Sequence, residues 1–593
     1  MYYLFNIYKF LASIVTFICD TCHSFSKIAI RKSDKEVAIA LTELLTVYNQ
    51  GPNFINQLNI QAFEKYLKDS NDEKINIKFI KDGFPLFLSD RNPKKLSKKI
   101  SNWAKDKNDI LKIIKQFTKE CRNGAIIPSQ NEANYNINVF TVPKKDSITG
   151  QYTKLRVVRH GSYHTKNTTS INEWIIPEKC KMPTLPNLKT YVKMLIDKEW
   201  MSLRDLSDAF RQICLAKKDV GFLGYSIFGL KFIDMKQPYG IASAAANCQS
   251  FAQHLIWILE NHKLPERLRN SILVHIDDFS LAATNKKDAI LMMKKFDELC
   301  KELNVIISVD KNINIAQEAE LYGFQWNLKE KTVGIPKGKR DNLKRFIKLV
   351  IQYQIISGRA LESLCGKIMH WSQLYKPAKP LCYNMLGFIY QNIRQDKNLK
   401  LKWFILPKSV ITDLRFWLKY IDILQEVKMT RILYTPSIQI NGSSDASSFG
   451  AGYCIGDMWS NYRFTHKHKN SLHINQKEAH AILTLIETLK YKLTGKRLVL
   501  FVDNTAVFYA MCNRWAGPQL MPFVYETSLK MMEYKIDIWF EWIPTESNVL
   551  ADTLSRFKTN EFWEWVNLYN IKLRPHKTPS KYVHNLSLNS KTL

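Results

Sequence analysis

Apolar positions recur at helical spacing, separated by polar, Lys-rich faces, over Val37 to Tyr48 and again over Leu96 to Phe117. That pattern predicts amphipathic helices across residues 33–125. From Ile126 to Leu328 the texture changes to short apolar runs between turn residues, mixed with helices, which predicts an α+β domain. Amphipathic helices with basic faces return over residues 329–435, as in Lys337 to Ile355 and Arg359 to Leu374. Residues 436–557 then run strand, strand, helix, strand, helix, strand, helix, an α/β pattern. The basic tail from Lys558 to Leu593 carries few apolar residues and predicts order only in its first helix. No internal repeat is visible.

The N-terminus (MYYLFNIYKFLASIVTFICD) is apolar, but its uninterrupted run, Phe10 to Cys19, is ten residues. A spanning helix needs about 20. No small-residue cleavage site follows, so a signal peptide is not expected. A buried or interfacial helix is the reading, with the chain intracellular, in cytoplasm or nucleus, and a membrane not expected as partner.

Composition narrows the class. A length of 593 residues suggests roughly four domains. Hydrophobic content of 46% and charged content of 24% exclude wholesale disorder, and 21 Gly with 20 Pro exclude collagen-like and mucin-like chains. Lys and Arg number 86 against 54 Asp and Glu, a net charge of +32 that calls for a polyanionic partner, nucleic acid before an acidic membrane. The surplus is uneven: residues 436–556 hold 12 basic and 11 acidic side chains. The 11 cysteines lack a framework spacing, and the pair Cys19 and Cys22 has no second pair to complete a zinc or redox site. Free thiols in a reducing compartment are expected.

Two sets of carboxylates carry candidate chemistry. In ILVHIDDFSLAA, Ile272 to Ala283, two apolar runs flank Asp277 and Asp278, which predicts a hairpin with buried strands and a carboxylate-bearing turn. Adjacent like charges beside an apolar strand end raise each other's pKa unless a cation compensates. Asp205 ends another apolar strand 72 residues upstream, in MSLRDLSDAFRQI. Between them QPYGIASAAANCQSF places a turn at Gly240 before a helix of very small residues, open to close approach by a ligand or strand. Taken singly, Asp208 suits a helix cap and Phe210 an ordinary core position; order and spacing together argue for a site.

These motifs resemble the reverse transcriptases over residues 126–330. Asp205 to Phe210 (DLSDAF) looks like the motif with the first metal-binding aspartate, and His275 to Asp278 (HIDD) like the YxDD catalytic hairpin. Lys311 and Leu321 to Phe324 (LYGF) fit the following palm lysine and primer-grip element, and Lys154 to Val158 (KLRVV) the fingers strand whose basic residues hold the triphosphate. Two positions depart from the pattern: His275 stands where the family has Tyr, and the usual aspartate after the fingers strand is replaced by the run Arg159 to Tyr163. The resemblance implies a right-hand polymerase of fingers, palm and thumb, in which Asp205, Asp277 and, more weakly, Asp278 bind two Mg²⁺ or Mn²⁺ ions for in-line nucleotidyl transfer. It further implies that Phe210 lies under the sugar and excludes ribonucleotides, and that Lys154, Arg156, Asp208, Gly240, Gln249 and Lys311 belong to the nucleotide-binding set.

In the neutral segment Asp445 is read at the start of a strand, before a Gly-rich strand at Gly450 to Gly452. Glu478 precedes Ile482 by four, at the head of a buried helical stripe where a carboxylate needs a partner. Asp503 ends the apolar run LVLFV, where α/β sheets place function, and Asp552 falls in the first turn of a helix within NVLADTLSR. Lone readings exist here too: Glu478 paired with Lys477, Asp552 as a dipole cap. The ordered set of Asp445, Glu478, Asp503 and Asp552 resembles the metal cluster of the ribonuclease H family, which cleaves the RNA strand of RNA–DNA hybrids with two Mg²⁺. A flexible-loop His of some members has no match between Pro544 and Asp552.

The expected organisation is therefore a helical N-terminal extension of unassigned role (1–125), fingers and palm (126–330), thumb and connection helices (331–435), an α/β ribonuclease H-like domain (436–557) and a basic tail (558–593). The expected partners are RNA template, DNA primer, RNA–DNA hybrid and dNTPs, in a retrotransposon polyprotein similar to DIRS-like and related elements. No aspartic-protease DTG or DSG triplet and no integrase pattern is seen. The rivals are a domesticated, non-catalytic nucleic-acid-binding protein and a cellular polymerase such as telomerase or a group II intron enzyme; the ribonuclease H-like segment disfavours the latter.

Overall fold

The computed structural model describes residues 35–51, 57–68, 70, 77–89, 106–131, 133–145, 152–163, 169–395, 397–433 and 440–578. The apolar N-terminus, Cys19, Cys22 and the tail beyond 578 lie outside the described residues. The chain divides into two compact units, residues 1–321 with 327–329 and residues 322–326 with 330–593. Among the described residues no helix is long and apolar enough to cross a membrane, and the cysteines are free thiols.

In the first unit, helices α1 (Lys35–Asn49) and α2 (Lys107–Arg122) turn Val37, Leu41, Leu44, Ile110, Ile114 and Phe117 into one apolar core. Asp106 caps α2 by accepting from the Asp109 N–H at 3.0 Å. The expected helix therefore begins at 107 and runs to 122, while residues 96–105 lie outside the described part. Strands β1 (Ile126–Pro128) and β2 (Tyr135–Asn136) are followed by an antiparallel ribbon of β3 (Asn138–Lys145) and β4 (Tyr152–His160). After β5 (Trp200–Asp205), the hairpin β6 (Leu223–Ile227) and β7 (Leu230–Asp234) completes a sheet in the order β1-β7-β6-β2. Tyr225 and Phe232 face the core shared with α1 and α2. The N-terminal helices are thus part of this core rather than an appendage to it.

Helix α3 (Ala242–Ile258), hairpin β8 (Ile272–His275) and β9 (Asp278–Ala283), helix α4 (Lys286–Glu302) and β10 (Ile313–Ala316) build the second sheet, in the order β10-β5-β9-β8. Phe251, Leu255, Phe279, Leu281 and Phe296 pack between this sheet and its helices. Each such side chain contributes about 1.5–3 kcal/mol on burial.

The first long helix of the second unit is α5 (Lys337–Tyr353). It stops short of Ile355 because Gln354 adopts a left-handed cap at φ +55° and the β-branched pair Ile355-Ile356 enters a strand, β11 (Ile355–Ser357). After α6 (Gly358–Trp371), β11 finds its partner in β12 (Trp403–Ile405), and α7 (Lys408–Tyr420) follows.

The last part carries β13 (Ile440–Ala446), β14 (Gly450–Ile455), β15 (Met458–Arg463), α8 (Ile474–Leu493), β16 (Arg497–Val502), α9 (Thr505–Asn513), α10 (Met521–Glu533), β17 (Asp537–Trp542) and α11 (Val549–Ser555). A short strand, β18 (Arg574–Pro575), closes a sheet in the order β17-β16-β13-β14-β15-β18. The sequence pattern predicted two opening strands; β15 is a third, half-polar strand that its neighbour β14 holds in register. Strands β13 to β15 are antiparallel, whereas β16 lies parallel to β13 and β17 parallel to β16. The parallel pairs put the C-terminal ends of β13 and β16 on one edge of the sheet. Gly452 permits α11 to pack closely on the sheet, since a Cβ there would lie 2.4 Å from the Leu554 Cβ.

Two candidate active sites

The first site forms where β5 meets the β8–β9 hairpin. Asp205 pairs with Asp278 across β5 and β9, and Asp277 occupies the two-residue turn between β8 and β9. The other turn residue, Ile276, has φ +64°. A turn of this length favours glycine there, and a β-branched side chain costs on the order of 1–2 kcal/mol. Gln249 of α3 holds the strained turn from below: its Oε1 accepts from the Ile276 N–H at 2.6 Å and its Nε2 donates to the Val274 carbonyl at 3.3 Å.

Electrostatics mark the same spot. Asp205 is buried, and the Lys311 ammonium bonds both of its carboxylate oxygens at 2.8 and 2.7 Å. Burial and then Asp205 raise the pKa of Asp277. Burial, Asp277 and Asp205 push Asp278 up to about 6. Crowded carboxylates whose ionised forms are disfavoured suit a divalent cation.

Several expected nucleotide contacts take other positions. Gln249 is 1% exposed with both amide ends spent on the hairpin backbone, so it braces the turn and does not face a nucleotide. Lys311 sits on Asp205, a carboxylate partner first. The Asp208 side chain turns to Lys119 at 2.7 Å. Gly240, at φ +90°, is glycine because a Cβ would lie 2.0 Å from the Arg159 carbonyl oxygen; a strand, not a ligand, makes the close approach. Arg156 is exposed on β4 opposite Val142; Lys154 is placed by its backbone, and its side chain lies outside the described part. Arg159 is buried against Glu120 and Arg211, which removes it from any phosphate. Phe210 is half-buried, its ring 4.7 Å from that of Tyr239, and burial, then Asp208 and Asp277, push the Tyr239 hydroxyl up.

The second site lies on the shared edge of β13 and β16. The register that sets Ser443 opposite Phe501 carries Asp445 to the level of Asp503. Asp445 is the penultimate residue of β13, not the first of a strand as its spacing suggested, because the chain turns at Ser447 before re-entering at Gly450. Glu478, on the first turns of α8, completes a group in which one ligand atom from each of Asp445, Glu478 and Asp503 lies within 4.8 Å of the others. The Trp542 indole donates to the Asp503 carbonyl at 2.9 Å and fixes the turn after β16.

Buried Asp445 Oδ2 and Asp503 Oδ1 accept no hydrogen bond. Burial, then Asp503 and Asp552, push Asp445 up to about 6 against the pull of Ser555. Burial, then Asp445 and Asp503, raise Glu478 well above the usual carboxylate range. Lys477 does not relieve it, because its ammonium turns to the Lys469 carbonyl at 3.0 Å. Two orphaned buried oxygens in a group of three crowded carboxylates fit a divalent cation. Asp552 stands beside this group, bonded to Arg556 at 2.7 Å on its own helix.

Sequence reasoning missed Asn548, whose Nδ2 donates to the Ser444 carbonyl at 3.2 Å next to Asp445. It also missed the buried ions Glu120, Arg211 and Asp234. An arginine directly after Phe210 in an otherwise apolar stretch is the one local signal of those ions.

The first site falls within a segment, residues 142–326, that matches the family described as reverse transcriptase (RNA-dependent DNA polymerase). The chain carries a reverse transcriptase domain. Its kinship is with retrotransposons: the retrovirus-related Pol polyprotein from transposon gypsy of Drosophila melanogaster is 21% identical over 456 residues, 75% of this chain and 40% of that polyprotein. This chain thus spans less than half the length of that relative. Among solved structures, the foamy viral protease-reverse transcriptase dRH in complex with double-stranded DNA is 14% identical, covering 89% of this chain and 81% of that one at a TM-score of 0.45. The foamy viral enzyme with an RNA/DNA hybrid is 15% identical, covering 82% and 63%, at a TM-score of 0.43.

Proposed function

We propose that this chain is the RNA-directed DNA polymerase of a retroelement, copying an RNA template from a DNA primer with dNTPs, and that its second site degrades the RNA strand of the hybrid. One observation carries the reading: Asp205, Asp277 and Asp278 converge on adjoining strand ends inside the segment that matches the reverse transcriptase family. The orphaned carboxylate oxygens of Asp445 and Asp503 support the nuclease half.

Asp205, Asp277 and Asp278 would hold Mg²⁺ or Mn²⁺ in one site, and Asp445, Glu478, Asp503 and Asp552 in the other. When bound, such paired cations lower the pKa of an attacking hydroxyl or water and stabilise the leaving oxygen. The chain's own groups prepare the sites. Lys311 holds both carboxylate oxygens of Asp205 until a cation takes its place. Gln249 fixes the turn that presents Asp277. The Phe210–Tyr239 wall leaves room for a deoxyribose and not for a 2′-hydroxyl. Basic surface residues, Arg156 among them, replace the counterions of the phosphate backbone.

Primer extension on poly(rA)·oligo(dT) with Mg²⁺, run beside cleavage of a labelled RNA–DNA hybrid, tests both halves. Asp277→Asn should abolish extension and spare cleavage, and Asp503→Asn the reverse. A chain that binds hybrid but neither extends nor cleaves is the domesticated binder instead.

A further inference from the structure

Four buried ions in the first unit belong to neither carboxylate site. Glu120, Arg159, Arg211 and Asp234 are all 4% exposed or less. Glu120 pairs with both arginines, meeting Arg211 at 2.7 Å, and Arg211 also reaches Asp234 at 2.7 Å. Tyr225 donates to Asp234, and the Arg159 guanidinium lies over the Tyr225 ring at 5.2 Å. Arg211 further donates to the carbonyls of Lys236 at 3.1 Å and Ala125 at 3.2 Å. Such a cluster costs desolvation and holds only while every member keeps its partners.

Its placement suggests what it is for. Glu120 and Lys119 are consecutive residues near the C-terminal end of α2. Lys119 holds Asp208, and Glu120 holds Arg211, so one helix grips the chain on both sides of Phe210. Asp208 is itself left-handed at φ +47°, a conformation that needs outside support. The other wall residue is tied in as well, because the carbonyl of Arg159 presses on Gly240, next to Tyr239.

We propose that α2 is a positioning element for the sugar-selecting wall, with Lys119 and Glu120 setting where Phe210 and Tyr239 stand. This rests on the polymerase reading above and gives a role to a helix that carries no catalytic motif. A wall displaced by a fraction of an ångström admits a 2′-hydroxyl and grips a deoxynucleotide less well, while Asp205 and Asp277 remain in place.

The test is single-nucleotide insertion of dGTP and rGTP on a primed template by the full chain, comparing wild type, Glu120→Gln and Lys119→Ala, with melting temperature as the check on folding. Both variants should lose dGTP over rGTP selectivity by roughly tenfold, a size consistent with small misplacements at a site. The loss should appear as a higher KM for dGTP and a lower one for rGTP, with kcat for dGTP nearly unchanged. Folded Glu120→Gln with wild-type selectivity overturns the proposal. Should Glu120→Gln fail to fold, Lys119→Ala decides, since its exposed pair with Asp208 can be broken without disturbing the core; unchanged selectivity there overturns it equally. An equal fall in kcat for both nucleotides would mean a merely structural role. A wild-type chain that inserts no nucleotide refutes the polymerase reading itself, and the proposal with it.

Discussion

Asp445→Asn should make the second unit melt higher when no divalent cation is present. Asp445 is 4% exposed and its pKa is raised from 3.8 to about 6 by burial, Asp503 and Asp552. That rise, at about 1.4 kcal/mol for each tenfold change in the proton equilibrium, amounts to roughly 3 kcal/mol of stability withheld when the group is ionised. The sign follows from the direction of the shift. A carboxyl with a raised folded pKa contributes stability that is full below its unfolded value, and that stability is lost as pH rises through about 6. Asparagine keeps the shape and carries no charge, so it does not suffer that loss. At pH 7.5 with chelator the variant should gain up to about 6–12 °C, at about 2–4 °C per kcal/mol for a domain of this size. At pH 4 the difference should vanish. Adding Mg²⁺ should raise wild type more than the variant, because the ion binds the folded state through the charge that was removed. Scanning calorimetry of the full chain, following the transition that responds to Mg²⁺, reads all three. A variant that melts below wild type by the same margin at pH 7.5 and pH 4 would refute the claim that like charge strains this cluster.

Phe210→Ala should raise ribonucleotide insertion by roughly a hundredfold, the scale on which an apolar pocket discriminates by volume; steady-state insertion kinetics check it, and an unchanged preference returns Phe210 to ordinary core. Gln249→Leu leaves the Ile276 N–H unpaired at a cost of about 1–3 kcal/mol, so kcat for extension should fall while the KM for dNTP holds. A kcat equal to wild type would show that the turn needs no brace.

What the sequence made legible is local. The apolar runs beside Asp277 and before Asp503 are contiguous, and their ends appear in the structure at His275 and Val502. The spacing of Glu478 from Ile482 likewise placed its carboxylate on the buried side of α8. The placements that failed depend on partners far away in the chain. Gln249 has a polar side chain among alanines, which reads as open to ligand until the Ile276 N–H arrives 27 residues later. Nothing beside Arg159 in the sequence shows Glu120, which lies 39 residues earlier and buries it. Asp445 was misplaced along its strand because Ser443, Ser444 and Ser447 blur the alternation that would mark the strand's end.

The two sites hold like charge in different ways. In the first, Lys311 stands on both oxygens of Asp205 and supplies a fixed positive charge, so a cation must displace a bonded ammonium to enter. In the second, Arg556 is the basic group that acts on Asp445 among the described residues, and it is bonded to Asp552 outside the close group of three. Lys477, adjacent in sequence to Glu478, is turned to main-chain carbonyls. The first site therefore carries a counter-charge built into the chain, and the second leaves its balance to whatever cation arrives. That contrast fits the uneven charge along the sequence. The surplus of positive charge outside residues 436–556 suits a polyanion, whereas the nearly neutral segment holds an acidic cluster whose stability is linked to the cation it would bind.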